Sequence, residues 1–161
     1  MAISDAHLMP KAAFPGRRPI SRPHSKAPSD GQGSEGGGFP RKLYGRRKGP
    51  ALSAHQKGLL ETLLPQLAIR PEKGREPQDY FAGSVHDVWL EVGFGGGEHL
   101  AWQALENPDI GIIGAEPYLG GMAKLLTKIA AHSPSENIRL YSEDARDILA
   151  ALPDASLGRV F

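Results

Sequence analysis

The stretch Asp87-Val88-Trp89-Leu90-Glu91-Val92-Gly93-Phe94-Gly95-Gly96-Gly97-Glu98 decides the fold. Its first half is a short apolar run rich in valine, which reads as a buried strand over 87–93. Its second half is a glycine-rich turn opening into a helical segment over 95–107, with His99 or Leu100, Trp102 and Leu105 available for packing. Glycines at such a junction allow positive φ and let a ligand approach the backbone. The helix N-terminus behind them offers unpaired N–H groups. Outward from this unit the pattern repeats. IGIIGAE (110–116) reads as a second buried strand, and LGGMAKLLTKIAAH (119–132) as a helix with Met122, Leu125, Leu126 and Ile129 on one face. NIRLYSED (137–144) reads as a third strand, ARDILAAL (145–152) as a short helix and LGRVF (157–161) as the start of a fourth strand. Strand–helix alternation at this spacing predicts an α/β fold, a Rossmann-like, doubly wound and mostly parallel sheet.

Upstream, Ser53 is a predicted N-cap for AHQKGLLETLLPQL. Leu59, Leu60, Leu63, Leu64 and Leu67 give that helix an apolar face, and Pro65 is expected to kink or end it. Residues 70–84, charged and polar with Pro71, Pro77 and Gly83, read as a loop. Residues 1–40 are rich in proline and, over 31–38, in glycine and serine. A segment of that composition buries too little surface to offset its ordering entropy and is expected to be a disordered basic tail. The ordered body is expected over 41–161.

Charge is divided unevenly. Residues 1–50 carry ten Lys/Arg against three Asp/Glu, and the remainder nine against fifteen, so a net charge of +1 hides a basic arm on an acidic body. The arm culminates in Arg41, Lys42, Arg46, Arg47 and Lys48, with Leu43 and Tyr44 between them. Such an arm suits an anionic partner, although charge also simply keeps a tail solvated. There is no cysteine, so disulfides, thiolate metal sites and cysteine nucleophiles are excluded. No apolar run of membrane-spanning length occurs and the N-terminus has no signal-like apolar region, so a cytoplasmic protein is expected. The six histidines lack zinc-site spacing, and no metal is expected.

The candidate site is the turn Gly93, Gly95 and Gly97 with three carboxylates. A dinucleotide turn of the form G-x-G-x-x-G/A needs a small residue where this chain has Glu98, or Leu100 in the shifted frame. S-adenosyl-L-methionine has no phosphate and carries an ammonium and a sulfonium, so Glu91 beside the turn favours it. Glu116 ends the second strand, where a carboxylate reaches ribose hydroxyls in either ligand class. Asp144, with Ser142 and Glu143, ends the third strand near the expected adenine and ribose. Each residue has a plainer role as well. Tight strand–helix connections use glycine anyway, Glu98 suits a helix N-terminus electrostatically, and Asp144 or Ser142 suits an N-cap. His99 reads as a packing or surface residue, and Trp89 and Trp102 as core. An NAD-binding oxidoreductase domain and a non-catalytic RNA-binding module therefore remain as alternatives.

WLEVGFGGGEHL followed by NPDIGIIGAEPYLGGMAKLL closely resembles the bacterial tRNA (guanine-N7-)-methyltransferases, as do FPRKLYGRRKGPALSAHQKGLLETLLPQL upstream and NIRLYSEDARDILAALPDASLGRVF downstream. The resemblance covers about residues 39–161. It implies a class I methyltransferase fold and transfer of a methyl group from S-adenosyl-L-methionine to N7 of a guanine in tRNA, typically at tRNA position 46. It assigns donor binding to Glu91, Gly93, Gly95, Gly97, Glu116 and Asp144. It assigns tRNA contact to Arg41, Lys42, Arg46, Arg47 and Lys48, a role that also follows from charge. In the family a Pro-Asp-Pro-Trp motif bearing the substrate-side acid follows the fourth strand. That acid is expected beyond Phe161, so no catalytic residue is assigned here, and the chain is expected to be the donor-binding part of a longer domain. The pattern does not separate a monomer from a homodimer.

Overall fold

The computed structural model describes residues 49–132 and 136–161. The expected tail over 1–40 and the basic segment 41–48 lie outside the described residues. Four strands form one parallel sheet: β1 (Asp87–Val92), β2 (Ile110–Ala115), β3 (Ile138–Tyr141) and β4 (Arg159–Val160). Their spatial order is β3-β2-β1-β4. That order requires the chain to run outward from β1 to β3 and then cross back to the other side of β1, which is the doubly wound Rossmann arrangement. The register sets Val92 beside Ala115 and Ala115 beside Tyr141, so the carboxyl ends of the first three strands finish level.

Strand alternation divides the core into two layers. Ile112, Ile138 and Leu140 face α3 (Glu98–Glu106) and α4 (Leu119–His132), together with the leucines of α1 (Ala54–Thr62) and α2 (Leu64–Leu67). Val88, Leu90, Ile113 and Ala115 face the opposite layer, which contains α5 (Ala145–Ala151). By the same alternation Trp89 and Glu91 point toward α3, a phase on which the site depends.

The amino-terminal helix forms as its sequence predicts. Ser53 and Gln56 close a reciprocal capping box, with Oγ of Ser53 accepting from the Gln56 amide and Oε1 of Gln56 accepting from the Ser53 amide. Helicity breaks at Leu63 and restarts as α2, with Pro65 in its first turn, where a missing N–H costs nothing. Three expectations need correction. Residues 70–84 are not merely a loop: Pro77–Tyr80 form a 3-10 turn that buries Tyr80 and Phe81 in the second layer. The helix after the turn starts at Glu98, with Gly97 as its cap, and packs through Leu100, Gln103 and Ala104. Trp102 is 55% exposed and Leu105 48% exposed, because Trp102 lies about 200° round the helix from Leu100 and Leu105 about 140°. Trp89 is half-buried rather than core, edge-on to Phe161 at 5.9 Å, with Arg159 stacked 4.5 Å from its ring centre.

Candidate functional site

The turn after β1 is built from glycines in the left-handed region. Gly93, Gly95 and Gly97 have φ of 70°, 58° and 73°, values that cost an L-residue about 1–2 kcal/mol each. The Gly93 amide donates to the Ala115 carbonyl at 2.7 Å and the Gly97 amide to the Phe94 carbonyl at 2.9 Å, which closes the turn. Gly93 and Gly95 stay exposed, so the backbone between them is open to a ligand.

Glu116, at the end of β2, pins this turn. Its Oε2 accepts from the Gly95 amide and its Oε1 from the Tyr118 amide, each at 2.9 Å. The residue is buried, but a carboxylate has about four acceptor positions, so each oxygen keeps one. Gly121, in the first turn of α4, makes the approach possible. A Cβ there would stand 2.3 Å from the Gly95 carbonyl oxygen and 3.2 Å from Cγ of Glu116. Sequence reasoning missed Gly121 and Tyr118, although the Gly120-Gly121 pair at a helix start was a visible signal of close approach.

Glu91 is buried and faces α3, where Nδ1 of His99 lies 2.8 Å from its Oε2. The sequence reading of His99 as a packing or surface residue thus omits its main contact. Asp144 is the N-cap of α5, accepting from the Arg146 amide at 3.0 Å, and is also paired with the Arg146 guanidinium. That pairing raises the pKa of Arg146 above its ordinary value. The plainer role of Asp144 is therefore present in the structure. Ser142 is exposed.

The structure brings Glu91, the glycine turn, Glu116 and Asp144 together at the carboxyl ends of β1, β2 and β3, the edge of an open α/β sheet where ligands bind. Glu98 folds back over the turn, so that a Cβ on Gly96 would meet its Oε2 at 2.6 Å. Its pKa is lowered, chiefly by the hydrogen bond from its own helix N-terminal amide and then by Lys128, whose Nζ lies 3.1 Å from Oε1. A carboxylate in that place opposes a pyrophosphate. The basic residues Arg41, Lys42, Arg46, Arg47 and Lys48 lie outside the described residues; at Gly49, which follows them, a Cβ would run into the Tyr118 hydroxyl. Among the described residues no cluster of His, Asp and Glu has the form of a metal site, and no helix is long and apolar enough to cross a membrane.

Comparison with known proteins gives the class first. Residues 86–161 match a family described as "Putative methyltransferase", and with the parallel sheet this defines a Rossmann-like methyltransferase domain. The tRNA (guanine-N(7)-)-methyltransferase of Paramagnetospirillum magneticum is 51% identical over 123 residues, covering 74% of this chain and 52% of that protein. The protein of the same name from a Ruegeria species is 48% identical over 152 residues, covering 88% of this chain and 58% of that protein. This chain is similar to these tRNA (guanine-N(7)-)-methyltransferases, and it spans about half the length of the curated relatives it matches. Among solved structures, the 16S rRNA methyltransferase KamB aligns with a TM-score of 0.38 at 27% identity, over 48% of this chain and 36% of that one.

Proposed function

We propose that this chain carries the S-adenosyl-L-methionine site of an enzyme that methylates N7 of a guanine in tRNA. The observation that carries the reading is the set of three carboxylates, Glu91, Glu116 and Asp144, around an open glycine turn. A bound S-adenosyl-L-methionine supplies an electrophilic methyl on a positively charged sulfur. On this reading Glu91 takes the donor's ammonium and the exposed turn backbone takes its methionine part. Glu116 uses its remaining acceptor positions on the ribose hydroxyls. Asp144 reaches the adenosine from the end of β3 while still capping α5. The carboxylate of Glu98 over the turn disfavours the NAD alternative.

Guanine N7 has a free lone pair and no proton, so transfer needs no base. The N–C bond forms in line as the C–S bond breaks, and the electron pair leaves with sulfur. The work of the protein is then orientation and proximity, and the positive charge gained by the base calls for an acid on the tRNA side. On this reading none of Glu91, Glu116 and Asp144 is that acid, because each faces the donor. The basic residues Arg41, Lys42, Arg46, Arg47 and Lys48 take tRNA phosphates on this reading, a role that rests on their charge. A protein acting on tRNA in this way works in the cytoplasm. Calorimetry of the full chain tests the donor class. Saturable binding of S-adenosylhomocysteine with none of NADH is the expected result, and the reverse overturns the reading.

A further inference from the structure

The contact between His99 and Glu91 is the end of a longer chain. On α3, His99, Gln103 and the capping residue Asn107 follow one another at i, i+4 and i+8, so their side chains form a single file along the helix. Nδ2 of Asn107 donates to Oε1 of Gln103 at 3.0 Å. That fixes the Gln103 amide with Nε2 directed at Nε2 of His99, 3.2 Å away. An amide nitrogen donates only, so Nε2 of a neutral His99 must accept. Its proton is then on Nδ1, which donates to Oε2 of Glu91 at 2.8 Å. Every link in Asn107, Gln103, His99 and Glu91 runs in one direction and ends on the carboxylate. Gln103 is buried, and Phe161 holds the imidazole edge-on at 4.7 Å. Oε1 of Glu91 has no hydrogen-bond partner among the described residues.

We propose that His99 is a positioning residue of the donor site. By holding Oε2 of Glu91, it turns Oε1 toward the ammonium of the donor, and the Gln103–Asn107 relay sets the tautomer that makes this possible. The inference rests on the reading of Glu91 as the ammonium acceptor. It predicts a selectivity that a merely structural histidine would not give, because only ligands bearing the amino-acid portion feel the orientation of Glu91.

The test is calorimetry of the full 161-residue chain with S-adenosylhomocysteine and with 5′-methylthioadenosine, which lacks the amino-acid portion. The wild type is expected to prefer S-adenosylhomocysteine. His99→Leu should weaken S-adenosylhomocysteine about tenfold, the scale of one hydrogen bond to a charged group, and leave methylthioadenosine unchanged. His99→Asn should restore the preference, since its amide N–H occupies the place of Nδ1–H. His99→Gln, whose longer side chain mimics the Nε2 edge, should not. If His99→Leu fails to fold, the Asn and Gln pair decides alone. Equal loss of both ligands, or wild-type selectivity in both His99→Leu and His99→Gln, overturns the proposal while leaving the donor reading intact. A wild-type chain that binds both compounds equally, or neither, overturns the reading of Glu91 and the proposal with it.

Discussion

Gly121→Ala is the sharpest perturbation the site offers. The new methyl would lie 2.3 Å from the Gly95 carbonyl oxygen, against an ordinary carbon–oxygen approach of about 3.3 Å. Something must therefore yield by about 1 Å. The obstructing atom is backbone, not the far end of a flexible side chain. Its residue is held through its amide by Glu116 at 2.9 Å, and a Cβ at 121 would also crowd Cγ of Glu116 at 3.2 Å. The turn and its anchor are thus pushed together. Overpacking of this kind costs about 1–3 kcal/mol, and the better helix propensity of alanine returns at most about 1 kcal/mol. A net loss near 1–2 kcal/mol should lower Tm by about 5 °C or more in a domain of this size. A 1 Å shift of the turn should also weaken S-adenosylhomocysteine by at least about tenfold. The control is Gly58→Ala in α1, where a Cβ meets nothing within 4 Å. There the propensity term stands alone, and Tm should rise with donor affinity unchanged. Differential scanning calorimetry and ligand titration on both variants settle the matter. If Gly121→Ala keeps wild-type Tm and affinity, the close packing of α4 on the glycine turn is not what shapes the site.

Asp144→Asn separates capping from ligand binding. Asparagine caps as well as aspartate, so Tm should hold within about 0.5 kcal/mol of stability while S-adenosylhomocysteine affinity falls; unchanged affinity would leave Asp144 as a cap only. Glu98 has a folded pKa below its ordinary 4.5, so its contribution to stability is present above that value and lost as pH falls through the folded one. Glu98→Gln should lower the neutral plateau of a Tm-against-pH curve slightly and leave its acid end unmoved, so that the acid limb flattens. Replacing Arg46, Arg47 and Lys48 together by alanine should weaken tRNA binding. The slope of log affinity against log salt should shrink by about 0.7–0.9 for each phosphate no longer neutralised, measured by filter binding over a salt series. An unchanged slope would remove the segment from the tRNA interface.

The strands were legible because β1, β2 and β3 are largely apolar and bounded by glycine, proline or acid, as strands of a parallel sheet are, whereas their spatial order is a finding of the structure. The glycine turn was legible for the same reason: left-handed backbone at three alternate positions leaves glycine as the residue of choice. Trp102 and Leu105 were misread because aromatic and apolar content stood in for helical phase, and their angles from Leu100 put them on the open side. Tyr80 and Phe81 were hidden by their polar, proline-bearing surroundings. They pack into the second layer beside Arg139, whose Nε donates to the Tyr80 carbonyl at 2.7 Å and whose guanidinium lies 5.0 Å from the Phe81 ring centre. No local pattern announces a contact across so long a stretch of sequence. His99 is an intermediate case. The spacing of His99, Gln103 and Asn107 was visible, but its meaning requires Glu91 to face α3, and that follows only once the strand phase is known.

Glu116 shows why the plain and the ligand-binding readings of a residue need not compete. Both of its oxygens already hold backbone amides, one in the turn and one at the entry to α4. In most settings that would argue for a purely structural carboxylate. Here the two amides fix the carboxylate in one orientation before any ligand arrives, and their fixed positions leave a second acceptor direction on each oxygen. A bidentate contact to vicinal hydroxyls then costs no further side-chain ordering, which is the part of binding that flexible glutamates lose. The same bonds make the Gly95 turn and the start of α4 move as one piece, so a ligand held by Glu116 is also held by the turn. Glu116→Gln replaces one acceptor oxygen by an amide that faces a backbone N–H. Structural and ligand losses should therefore appear together in that variant, whereas in Asp144→Asn they should part.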